Sequence, residues 1–63
     1  MSKGQELKQL REHHGLLQKD VARKSGVHQT LVSLIENEWR QPVGTQEIKI
    51  RTAITSLVME KDK

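Results

Sequence analysis

The sequence predicts an all-α domain of about four helices, the last of them extended. Three observations carry that expectation. Apolar residues recur at helical spacing along most of the chain. Capping and breaking residues, among them Ser2, Gly15, Gly26 and Pro42, punctuate those stretches. Only Ile48, Ile50 and Thr52 alternate as a strand would, and a lone strand has no partner elsewhere in the sequence.

The elements follow in order. Ser2 followed by Gln5 fits a capping box, in which the two side chains satisfy free amides at a helix start. Leu7 and Leu10 lie three apart and Gly15 follows His14, so the first helix runs roughly from Lys3 to His13. The second covers about Gln18 to Ser25, with Val21 and Ala22 inward, and Gly26 stops it because glycine accepts a left-handed backbone. A third resumes at His28 or Gln29 and reaches about Asn37, with Val32 and Ile35 on its inner face. The stretch ENEWRQPVG reads as a loop, since Pro42 rules out a continuous helix. Ile50, Ile54, Leu57 and Val58 then repeat at i, i+4, i+7 and i+8, a helical stripe. Thr45 or Gly44 is the expected N-cap of this last helix, with Glu47 near its positive end. The charged tail from Glu60 to Lys63 is expected to fray.

Composition bounds the function. Sixty-three residues make one domain, 1–63, with a small core. With no cysteine, neither a disulfide nor a thiolate-bound metal can staple it. His13 and His14 are adjacent, so they point about 100° apart on a helix and are poorly placed to share a metal. No Ser/His/Asp or Cys/His set and no phosphate loop is present, so no enzyme, cofactor, metal or small-molecule ligand is expected. No apolar run is long enough to cross a membrane and MSKGQELKQL lacks a signal-peptide core, which makes the cytoplasm the expected location. The net charge of +3 permits nucleic-acid binding without demanding it. Trp39 is the only aromatic residue, so base stacking on an aromatic platform is not the expected mode. Trp39 reads most simply as a lid over the core, with an indole donor to phosphate as the alternative.

Two short helices joined through a glycine make a helix-turn-helix when the spacing is right, and from Gln18 to Asn37 it is. Ala22 lets the helices approach, Gly26 turns the chain and Val27 tucks the turn into the core. Leu31 and Leu34 are then surplus to the inner face. Gln29, Thr30, Ser33 and Leu34 share an exposed face near the start of the third helix. Gln can bond adenine through two hydrogen bonds, Thr and Ser can reach any base edge, and Leu34 can pack on a thymine methyl. The blander readings are a solvated face for the polar residues and a core position for Leu34. Leu31 could edge the core, meet a second copy or line a groove.

The stretches LKQLREHHGLLQKDVARKSGV and HQTLVSLIEN, followed by RQP, resemble the lambda-repressor-like Cro/Xre helix-turn-helix family, from about Leu7 to Ile54. Gln18, Ala22, Gly26, Val27, Val32, Ile35 and Glu36 carry the match. The resemblance implies base contacts from Gln29, Thr30 and Ser33, with Leu34 beside them. It implies that Gln18 touches a phosphate and braces the recognition helix. Asn37 and Arg40 fall in the loop that follows the backbone, Lys19 is a further phosphate candidate, and Arg11 and Glu36 fall where some phage repressors bury an ion pair. Leu17 and His28 stand where the family often has a Ser or Thr cap, which puts both caps in doubt. Glu38 replaces a common Gly, so the turn there is open.

The implied function is sequence-specific binding of double-stranded DNA by a transcriptional regulator, a repressor acting as a homodimer on a pseudo-palindromic operator. Helix 45–60 would supply the dimer contact through Ile50, Ile54, Leu57 and Val58, unless that stripe only closes the core of one subunit. Two alternatives stay open. One is an antitoxin or restriction-controller that regulates its own promoter, and the other is a protein-interaction module built on the same fold.

Overall fold

The computed structural model describes residues 2–61. It consists of α1 (Lys3–His13), α2 (Gln18–Ser25), α3 (Gln29–Glu36) and α4 (Gly44–Lys61). No strand occurs among the described residues, and Ile48, Ile50 and Thr52 all lie in α4. No described helix is long and apolar enough to cross a membrane.

Local chemistry sets the boundaries. Ser2 Oγ accepts from the Gln5 amide at 3.2 Å and opens α1. At its other end Leu16 N–H donates to Arg11 O at 3.0 Å, so the chain turns through Gly15 and drops Leu16 into the core. Leu16 was not singled out in the sequence, because it follows the glycine and belongs to no periodic run. Gly26 adopts φ +75° and its N–H donates to Ala22 O at 3.0 Å, closing α2. The expected cap of α4 at Gly44 or Thr45 is corrected. Both residues are already helical, and Val43 O accepts the first bond from Glu47 at 3.1 Å. Val43 has no side-chain acceptor, so only the reciprocal half of a capping box forms, with Val43 N–H donating to Gln46 Oε1 at 3.2 Å.

The core is one cluster. Leu7 from α1, Val21 and Ala22 from α2, Val32 and Ile35 from α3, and Ile50, Ala53 and Ile54 from α4 are buried, with Leu16 and Val27 from the turns. Each of the larger side chains contributes about 1.5–3 kcal/mol by leaving water. Leu10, Leu31, Leu57 and Val58 pack half-buried against this cluster. The expectation of a frayed tail is corrected for Glu60 and Lys61. Both lie within α4, where Lys24 Nζ pairs with Glu60 Oε1 at 2.7 Å and Lys61 Nζ donates to His14 O at 3.1 Å. Asp62 and Lys63 lie outside the described residues. Trp39 is not a lid, for it is 81% exposed on the loop after α3, and the core closes without it.

One close approach was hidden in the sequence. A Cβ built on Gly4 would lie 1.9 Å from Ile35 O, so the start of α1 rests directly on the backbone at the end of α3. No larger residue fits there without moving a helix.

Candidate nucleic-acid interface

The two faces of α3 separate cleanly. Val32, Ile35 and Glu36 are buried, while His28, Gln29, Thr30 and Leu34 are exposed and Ser33 is half-buried. The turn through Gly26 and the seating of Val27 aim the helix this way. Of the two surplus leucines, Leu31 edges the core and Leu34 stays at the surface. Gln18, His28, Gln29, Thr30, Ser33 and Leu34 together line an open concavity of about 370 Å³. The structure thus brings the four candidate base-contact residues onto one surface, with Gln18 from α2 at its edge.

A buried polar network fixes that surface from behind. Arg11 Nε donates to Glu36 Oε2 at 2.8 Å and Arg11 Nη2 to Glu36 Oε1 at 3.0 Å, a two-pronged pair. Arg11 Nη1 also donates to Leu16 O at 2.7 Å. Gln18 Nε2 donates to Glu36 Oε1 at 3.0 Å. The Glu36 side chain is only 2% exposed, so these donors replace the water it has lost. One carboxylate thereby ties α1 and α2 to α3, and one N–H of the Gln18 amide is committed to it.

The remaining candidates sit around the rim. Lys19, Asn37 and Arg40 are exposed. Asn37 Nδ2 donates to Ser33 O at 2.9 Å and to Ser33 Oγ at 3.3 Å, which holds its side chain along the end of α3. Glu38 has φ +63°, the left-handed conformation, so the turn keeps a geometry glycine would adopt freely and Glu38 adopts at a cost. Its carboxylate accepts from Ser2 Oγ, linking the loop back to the cap of α1.

The helix-turn-helix family model matches residues 7–50, well over half of the chain. The chain belongs to the Cro/C1-type helix-turn-helix family. The match runs from Leu7 in α1 to Ile50 in α4, so it covers the whole exposed face of α3 and all of the core except Ala53 and Ile54. This helix-turn-helix fold is that of DNA-binding regulators. No curated protein and no solved structure matches the chain significantly.

Two features of the helix-turn-helix protein depart from what its sequence suggests. Ile50 and Ile54, candidate dimer contacts, are each 1% exposed in the core of a single chain and offer no surface to a second copy. The periodic stripe on α4 is apolar throughout, but its first half is consumed in closing the core. Leu57 and Val58 keep part of their surface. The doubt over the cap of α3 is also resolved, because His28 Nδ1 accepts from the Thr30 amide at 3.2 Å. The cap of α2 is absent as suspected, with Leu17 making no side-chain bond. Among the described residues no three metal-binding side chains converge.

Proposed function

We propose that this helix-turn-helix protein is a sequence-specific transcriptional repressor that binds a pseudo-palindromic operator as a homodimer. The observation that carries the reading is the exposed face of α3, where Gln29, Thr30, Ser33 and Leu34 share one concavity with Gln18. The first turns of α3 enter the major groove, and Gln29, Thr30 and Ser33 hydrogen-bond to base edges while Leu34 meets a thymine methyl. Gln18, Lys19, Asn37 and Arg40 hold phosphates and set the register. The Arg11–Glu36 pair serves the scaffold, and the guanidinium that grips the Glu36 carboxylate offsets a charge that would otherwise repel DNA.

The dimer contact draws on Leu57 and Val58, with the neighbouring Met59, 65% exposed, adding apolar surface. A two-fold pair would place two recognition helices about 34 Å apart in successive major grooves. Occupying such a site would block polymerase.

Selection from a random double-stranded DNA pool, repeated across salt concentrations, tests this. Enrichment of an inverted repeat with half-sites about one helical turn apart is expected, with a steep loss of affinity as salt rises. A pool without enrichment, bound weakly and equally, would sink the reading. It would favour an interaction module built on the same fold.

A further inference from the structure

His28 is the one residue lining the concavity that neither the hydrophobic pattern nor the proposed contacts employ. It is exposed, and its ring does two separable things. Nδ1 accepts from the Thr30 amide at 3.2 Å, as the oxygen of a Ser or Thr cap would. A neutral imidazole that accepts at Nδ1 carries its proton on Nε2. The cap therefore fixes the tautomer, leaving a single N–H donor on the far side of the ring. Ser, Thr and Asp cap with a short side chain that carries no N–H beyond the cap, and the amide N–H groups of a capping Asn lie closer to the backbone than Nε2 does. His28 also lies before the first turn of α3, beside Gln29 and on the same surface as Gln18, Ser33 and Leu34.

We infer that His28 is a specificity-determining residue, with Nε2–H donating to a base-edge acceptor at the end of each half-site. The fitting acceptor is a guanine, which presents O6 and N7 side by side in the major groove. A lone donor finds no acceptor on cytosine, whose major-groove edge offers only an amino group, and it meets one acceptor on adenine or thymine against two on guanine. This inference rests on the proposed operator binding and adds a position to the readout.

The test compares wild type with His28→Asn and His28→Gln on the DNA selected by the wild-type protein. Asn is a strong cap whose remaining amide N–H groups stop short of the position of Nε2, so His28→Asn is expected to melt no lower than wild type. It is expected to bind about five- to tenfold more weakly, the loss of one hydrogen bond. Repeating the selection with His28→Asn should erase the preference at one position per half-site and leave the others intact. His28→Gln, which places an amide N–H at comparable reach, should recover part of that preference despite a poorer cap. Unchanged affinity and an unchanged selected site for His28→Asn would reduce His28 to a cap and overturn the inference. A uniform loss across all sequences with a shallower salt dependence would assign the donor to a phosphate and overturn it as well. If the wild type itself selects no site, the operator reading fails first and takes this contact with it.

Discussion

At Gly4 the space for a side chain is already taken by the Ile35 carbonyl, whereas at Gly26 the space is empty and the backbone is left-handed. The two substitutions should therefore fail for different reasons. Gly4→Ala must push α1 off α3, and overpacking of this kind costs about 1–3 kcal/mol. Gly26→Ala meets no atom and costs only the left-handed backbone, about 1–2 kcal/mol. Urea melts of both variants check this, and Gly4→Ala should also disturb the Arg11–Glu36 network while Gly26→Ala should not. A wild-type melt for Gly4→Ala would mean that the helices separate at no cost. Glu38 presents the reverse case, a side chain where glycine would be comfortable. Glu38→Gly should relieve that backbone and raise stability by up to about 1 kcal/mol, less whatever the bond from Ser2 contributes. A drop in the melting midpoint would show that this bond outweighs the strain.

Between elements, the buried ion pair is the chief polar connection. Removing Glu36 alone leaves the Arg11 guanidinium in a largely dry site and deprives Gln18 of its partner. Glu36→Leu is expected to cost about 3–5 kcal/mol, and Arg11→Met combined with Glu36→Leu should recover much of that loss. A double variant as unstable as the sum of the two singles would deny the coupling. The bare start of α2 offers a gain: Leu17→Ser supplies the missing cap and should add up to about 1 kcal/mol in a denaturant melt. These elements also mark how far sequence reasoning reaches. The bounds of α1 and α2 were legible because Ser2, Gly15 and Gly26 act within a turn of their own positions. The inward set on α3 was legible from period alone. Gly4, Leu16 and Trp39 were not, since each is decided by where a distant segment comes to rest. His28 as a cap was not, because imidazole caps are uncommon and the local pattern favours a hydroxyl. The first half of the α4 stripe misled for a related reason: periodicity reports that a face is apolar, not which surface covers it.

For the molecule as a whole, the chain measures 34 × 22 × 18 Å, and the far end of α4 packs only partly against the core. That end is fastened by Lys24–Glu60 and by Lys61 on the His14 carbonyl, with Leu57 and Val58 only half-covered. Equilibrium sedimentation of the wild type should report a dimer, and Met59→Asp, altering an exposed residue, should shift it toward monomer without lowering the melting temperature at a given subunit concentration beyond the loss of association. A wild type that sediments as a monomer at high concentration would remove the dimer from the mechanism. The division of α3 has a practical corollary for engineering. Its scaffold residues, Val32, Ile35 and Glu36, are buried and its outward residues, Gln29, Thr30 and Leu34, are exposed within the same eight positions. The outward set can be randomised in a library while the inward set is held fixed. Most members of such a library should fold, and the helix becomes an exchangeable cassette whose address can be rewritten without rebuilding the protein that carries it.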